Sequence, residues 1–296
     1  MPGPADTPAA PRTGRPSLSA LPGWDRDDLN AALAAFRQNP DDPLGPAAHA
    51  ATDARSFFAR HFAPGPTLRG RFTGYYEPEI AGSRVRSAAF PVPVHACPAG
   101  GISLPRAEIE PALAGQEIVW LQDEVDRFFL QVQGSGRIRL KCGDTLRLGY
   151  AGGNGHAYRS IGKLLIARGV FGADLSADRL KAWLRADADR GRAVMHENPS
   201  YVMFRVVDLP KGSGPQGSLC PVTVGRSIAV DPTQTPLGTP VWIEVDGMAR
   251  LVVAQDTGSA ITGAGRADIF FGTGEAAGVA AGRMNHEGRF TPLIRR

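Results

Sequence analysis

At 296 residues the chain has the length of about two domains, and 43% hydrophobic residues are ample for a sizeable core. Its 33 Lys+Arg against 29 Asp+Glu leave a net charge of +4. The basic residues are scattered and do not interleave with aromatics, which argues against a nucleic-acid partner and suits either an acidic polymer or an ordinary solvated surface.

The first twenty residues, MPGPADTPAAPRTGRPSLSA, are rich in Pro and Ala and hold neither an apolar stretch nor a cysteine. They read as a disordered lead with no export signal or lipid-anchor site. GWDRDDLNAALAAFRQNP then sets Leu29, Leu33 and Phe36 at helical spacing, with Asp25, Asp27 and Asp28 where the positive end of a helix favours acids. DARSFFARHFAP predicts a second helix that carries Phe57, Phe58 and Phe62 toward a core and stops at Pro64 and Pro66. From Arg69 the pattern changes to short strands, LRGRFTGYYEP, FPVPVHA, EIVWLQ, RFFLQVQ, RIRLKC and LRLGYAG. Gly, Pro and Asp turns divide them, as in a small barrel or sandwich. Two amphipathic helices follow, HAYRSIGKLLIARGV and LSADRLKAWLRADADRGRAVM, the second with Leu180, Trp183, Leu184 and Ala188 on one face. After Asn198 strands resume to the end, interrupted by PKGSGPQGS, an exposed loop. No apolar run of roughly 18 residues occurs, so nothing reads as a membrane-spanning helix.

Chemistry is expected in LVVAQDTGSAITGAGRADIFFGT, residues 251–273, where Asp256 and Asp268 end and begin two apolar strands joined by a glycine-rich loop. A carboxyl group at the edge of an apolar strand pair loses solvation and can hold a proton near neutral pH, as a general acid must. For either aspartate taken alone, turn capping is the favoured explanation. DTGSA also matches the strand turn of aspartic peptidases, but the chain has a single Asp-Thr-Gly, and Gln255 stands where an apolar residue is expected. Cys97, Cys142 and Cys220 are widely spaced and are expected to be three buried thiols. His95, His156, His196 and His286 show no ligand spacing, so no metal is expected.

Upstream, Asp231 closes a short apolar strand before the turn around Pro236, Leu237 and Gly238. Asp231, Asp256 and Asp268, at strand edges separated by Gly/Pro turns, resemble the three-aspartate module of cell-wall glycan enzymes, which is related to expansins. FTGYYEPEIAGS (72–83), VQGSGRIRL (132–140), YAGGNGHAYRSIGKLL (150–165) and MHENPSYVMFR (195–205) extend the likeness. From about Leu21 to the C-terminus the sequence resembles the membrane-bound lytic murein transglycosylase A family, several long motifs standing in the right order.

The resemblance implies a mainly β chain. A discontinuous double-psi β-barrel domain would span 21–77 plus 199–296, with an inserted small β-barrel domain over 78–198 and a substrate groove between them. It implies an exo-acting lyase that cuts the β-1,4 bond between N-acetylmuramic acid and N-acetylglucosamine in peptidoglycan, leaving 1,6-anhydromuramoyl ends and needing no cofactor. It further implies a monomer in the periplasm of a Gram-negative bacterium, associated with the outer membrane, with glycan strands and other cell-wall enzymes as partners. Asp268 matches the family's catalytic acid, and the residues agree, since Ala267, Ile269, Phe270 and Phe271 are expected to desolvate it more than the polar QDTGS setting does Asp256. Asp256 becomes the supporting carboxylate and Asp231 a structural turn. Thr73, Gly74, Tyr75 and Tyr76 are expected to line the groove, core packing being the alternative for each tyrosine. Gln133, Ser135, Asn154 and His156 are expected to hydrogen-bond to sugar. Competing readings are an expansin-like protein that holds glycan without cutting it and, more remotely, an aspartic peptidase.

Overall fold

The computed structural model describes residues 17–210 and 212–296. Asp28 accepts a hydrogen bond from the Ala31 amide and opens α1, Leu29–Phe36. After α2, Gly45–Ala50, Asp53 caps α3, Ala54–His61, through the Arg55 and Ser56 amides. In both places a carboxylate satisfies amides that a helix start leaves unpaired. Leu29, Leu33, Phe36, Phe57 and Phe58 are buried with Trp242, Leu251 and Val253 from the strands below. Leu18 joins that cluster at 2% exposure. The expected disordered lead is therefore corrected at residues 18–20, a short 3-10 helix anchored by Leu18; its first sixteen residues lie outside the described ones.

Strands β1, Phe62–Pro64, and β2, Leu68–Glu77, belong to one sheet, and after the single residue Pro78 the chain enters another with β3, Glu79–Ser83. That second sheet continues with β4, Val92–His95, then α4, Arg106–Ala112, β5, Glu117–Leu121, α5, Glu124–Gln133, β6, Ser135–Leu140, and β7, Thr145–Gly153. Helices α6, Ile161–Ala167, α7, Ala177–Arg185, and α8, Ala188–His196, lead to β8, Val202–Val206. The strand order is β4-β5-β3-β6-β7-β8. A bridge between Ala96 and Phe204 draws the two edges together around Val94, Val119, Ile138 and Leu148, making a small barrel.

Three expectations change here. RFFLQVQ lies in α5, not in a strand: Asp123 caps it through the Asp126 amide, Gly134 ends it at φ 75°, and Phe128 and Leu130 fill two different cores. Caps at both ends outweigh the strand propensity of Phe and Val. LSADRLKAWLRADADRGRAVM is two helices, because Asp187 caps a new one through the Arg190 amide. Residues 202–206 pair with β7, so the return to the first sheet follows Val206 and not Asn198.

Strands β9, Ser227–Val230, β10, Pro240–Val245, β11, Met248–Thr257, and β12, Arg266–Thr273, then lead through α9, Glu275–Arg283, to β13, Asn285–Arg295. The helix α9 interrupts a stretch expected to be all strand. The order is β1-β13-β10-β11-β9-β12-β2, and β2 also pairs with β13, so six strands close on themselves. Two parallel pairs, β11 with β9 and β12 with β2, within an otherwise antiparallel closed barrel give the expected double-psi architecture. Phe72, Ile228, Val230, Val252, Ala267 and Ile269 fill its interior. The period of two along each strand therefore turns Thr73, Ala229 and Asp268 to the outer wall.

Glu77, fully buried at the end of β2, joins the two barrels. It accepts hydrogen bonds from Arg137 Nε at 2.7 Å, Arg147 Nε at 3.3 Å and Thr273 Oγ1 at 2.8 Å. The cysteines are all free, but the expectation of three buried thiols is corrected: Cys220 is buried, Cys97 half-buried and Cys142 exposed.

Candidate active site

Strand register assembles the site. Ala229 in β9 is the partner of Asp256 on one side and of Asp268 on the other, and Asp268 is the partner of Thr73 in β2. The two aspartates thus stand on one face, two strand spacings or about 9–10 Å apart at the backbone, with only a methyl group between them. Tyr75, Val222, Ala229, Ile261 and Phe270 form the apolar patch of this wall. Both carboxyl groups are half-buried.

Asp268 has few partners. Its Oδ1 accepts one hydrogen bond, from Thr73 Oγ1 at 2.5 Å. Burial raises its pKa to about 6, the nearby Asp256 charge adding to the rise, while the Thr73 hydroxyl and Arg266 pull the other way. The neighbours that desolvate this carboxyl group are not all those expected from the sequence. Ala267 and Ile269 point into the barrel core, so the desolvation comes from the wall around Ala229 and Tyr75.

Asp256 is differently held. Its Oδ1 accepts from the Ser218 amide at 2.9 Å, Ser218 Oγ at 3.0 Å and the Thr257 amide at 2.8 Å, and its Oδ2 accepts from Tyr75 Oη at 3.0 Å. Burial raises its pKa, and those four donors oppose the rise. Four donors fill most of the acceptor sites a carboxylate offers, so this group is far more fully occupied than Asp268. Asp231 faces elsewhere: it accepts from the Thr233 amide and hydroxyl and from the Gly263 amide at 2.7 Å, and those bonds lower its pKa. It pins the loop between β11 and β12 to the end of β9.

The remaining expected groove residues divide. Thr73 is at the site. Tyr75 is 8% exposed, its ring 5.2 Å from that of Phe270, so it presents no face to a sugar and serves Asp256 through its hydroxyl. Tyr76 is half-buried, with its amide donating to Gln133 Oε1 at 3.2 Å and its hydroxyl near Lys181 Nζ at 3.4 Å. Gly74 faces away from Thr73, and a Cβ there would meet Ala281 Cα at 2.7 Å, so this glycine admits α9. Asn154 is 2% exposed and spends its amide on Leu104 O, Pro199 O and the Tyr201 amide. It locks β7 to the start of β8 and is not free to bind sugar. Ser135 is 6% exposed. His156 Nε2 is buried without a hydrogen-bond partner among the described residues.

Two contributors escaped the sequence reading. Ser218 stands exposed at the end of the expected loop, yet its amide and hydroxyl both donate to Asp256; within that loop Gly214 packs closely, since a Cβ there would lie 1.9 Å from Val222 O. Arg266 donates to Thr73 Oγ1 at 2.8 Å, and its place two residues before Asp268 on the same strand face was the available signal. A cleft of about 500 Å³ lies between Ala260 of the β11–β12 loop and Tyr158, Arg159, Ser160, Lys163 and Leu164 at the start of α6. A larger cavity of about 690 Å³ lies among β4, β5, α5, α7 and α8 and touches neither aspartate. Among the described residues no group of three or more His, Cys, Asp or Glu is placed to hold a metal ion.

Residues 71–205 match the MltA specific insert domain and residues 226–294 the 3D domain. Membrane-bound lytic murein transglycosylase A of Vibrio cholerae is 37% identical over 242 residues, which cover 75% of this chain and 64% of that protein. The chain thus spans just under two thirds of that relative's length. A lytic transglycosylase structure from Burkholderia pseudomallei shares 40% identity over 97% of this chain and 96% of its own, with a TM-score of 0.65. Escherichia coli MltA with bound chitohexaose shares 30% identity over 90% and 89% of the two chains, with a TM-score of 0.76.

Proposed function

Since this chain belongs to the membrane-bound lytic murein transglycosylase A family, we propose that it cleaves the β-1,4 bond between N-acetylmuramic acid and N-acetylglucosamine in peptidoglycan. Asp268 is the single acid and base of the reaction. Its proton passes to the glycosidic oxygen as the bond from C1 to that oxygen breaks. The resulting carboxylate then takes the proton of the muramoyl C6 hydroxyl as O6 bonds to C1. No water is consumed, and a 1,6-anhydro ring closes. Ordinary glycosidases need a second carboxylate as nucleophile or base; an intramolecular hydroxyl already held near C1 removes that need.

The observation that carries this reading is the contrast between the two aspartates. Asp268 keeps a raised pKa of about 6 and a single hydroxyl partner, whereas Asp256 is occupied by four donors and supports the wall. The chitohexaose held by the Escherichia coli relative supports a linear glycan as ligand. The groove between the barrels would receive the strand, with Tyr76 at its wall, and the two domains would divide at Pro78 and after Val206. The site of action is the periplasm, where murein lies. Digestion of purified sacculi followed by mass spectrometry tests the proposal: 1,6-anhydromuropeptides, one water lighter than hydrolysed ends, are expected. Capture of murein with no such products from a folded protein is the outcome of a glycan-binding protein and refutes cleavage.

A further inference from the structure

We propose that Thr73 and Arg266 are positioning residues that decide which oxygen of Asp268 carries the transferable proton, holding Oδ1 as a permanent acceptor and leaving Oδ2 as the acidic oxygen. The inference rests on the reading of Asp268 as the acid and follows from donor and acceptor counting. A guanidinium has donors only and stays charged, and a threonine hydroxyl has a single hydrogen. Arg266 Nη2 lies 2.8 Å from Thr73 Oγ1, so that oxygen must accept there. Among the described residues Asp268 Oδ1, 2.5 Å away, is the only acceptor within hydrogen-bond distance of that hydroxyl, so its one hydrogen goes there. A proton on Oδ1 would leave that hydrogen only the weaker acceptor of a hydroxyl oxygen, whereas a proton on Oδ2 leaves it the carbonyl oxygen, so neutral Asp268 carries its proton on Oδ2.

The strands build this arrangement and keep it from relaxing. Thr73 is the register partner of Asp268, and Arg266 stands two residues before Asp268, on the same face of β12. The guanidinium cannot swing away easily, because Nη1 is anchored to Ala267 O at 2.7 Å and Arg71 O at 3.3 Å. One consequence is geometric. Proton delivery to the leaving oxygen and proton recovery from the C6 hydroxyl both take place at Oδ2, so the two sugar oxygens must visit the same point in turn. The other is electrostatic: a donor fixed on Oδ1 favours the carboxylate and holds the acid below the pKa that burial alone would set.

The test compares Thr73→Val, Thr73→Ser and Arg266→Met by the pH dependence of anhydromuropeptide formation. A ¹³C-carboxyl titration of the free protein, with the Asp268 signal assigned against Asp268→Asn, supplies a readout independent of turnover. Loss of a hydrogen bond to a charged group corresponds to about one pH unit or somewhat more. The basic limb and the Asp268 titration should therefore both move upward by about one unit in Thr73→Val and upward in Arg266→Met, and Thr73→Ser should restore the wild-type position. A Thr73→Val limb superimposed on the wild-type one, whatever its height, overturns the inference. If Thr73→Val does not fold, an unmoved limb in Arg266→Met does the same. Turnover by Asp268→Asn would instead remove the underlying reading, so the two failures are distinguishable.

Discussion

Replacing Asp268 by Asn should raise stability while abolishing turnover, and the gain should depend on pH. Asn keeps the shape and mimics the neutral acid: its oxygen accepts from Thr73, and its amide stands where the proton-bearing oxygen was. Asp268 rises from 3.8 to about 6 on folding, burial being the main cause. The folded chain therefore binds more protons than the unfolded one between those values, and the wild type loses stability as pH rises through that window. Roughly two units correspond to at most about 3 kcal/mol, fully present as a penalty above pH ~6 and absent below pH ~4. A chain of this length unfolds with an entropy of roughly 0.6 kcal/mol/K, so the variant should melt about 5 °C higher at pH 7.5 and at the same temperature as wild type near pH 4. Differential scanning calorimetry across that range measures the difference directly. A difference that is flat with pH, or a variant that melts lower at pH 7.5, would refute the claim that the wall desolvates this carboxyl group, and with it the basis for a general acid here.

Further expectations follow from the same geometry. Asp256→Asn removes a negative charge that raises the Asp268 pKa, so the basic limb of the activity profile should move to lower pH with a milder loss of rate than Asp268→Asn causes; an equally inactive, well-folded variant would reverse the ranking of the two carboxylates. Tyr75→Ala should cost about 3 kcal/mol or more in chemical denaturation, because it empties a buried ring site and removes the one donor to Asp256 Oδ2 among the described residues. Tyr76→Ala, at the half-buried neighbour, should instead weaken sedimentation with insoluble murein while stability changes little; unchanged murein binding would place that ring in the core. Chelation by EDTA and reduction by dithiothreitol should both leave activity intact, since a protonated carboxyl group and an intramolecular hydroxyl give a metal ion no task; recovery of a lost activity on adding back a divalent cation would overturn the single-acid scheme.

Local pattern sufficed for much of this protein. The helices at Leu29–Phe36 and Ala54–His61 were legible because apolar residues recur at helical spacing behind capping aspartates. Most strands were legible from short apolar runs between Gly, Pro and Asp turns, and Asp268 from its place at the start of one such run. RFFLQVQ was misread because its residue types favour a strand, while the caps Asp123 and Gly134 lie just outside the run. The roles of Tyr75, Asn154 and Gly74 could not be read, since burial and the partner of each polar atom depend on elements distant in the chain. The pairing of Asp256 and Asp268 across Ala229, the descent of Ser218 onto Asp256, and the Arg266–Thr73–Asp268 chain were likewise beyond the sequence. The period of two that turns a side chain inward or outward is a property of one strand and can be read from it. Register is a property of two strands, set here when β2, β9, β11 and β12 close into a barrel, and no local pattern records which residue will stand opposite which.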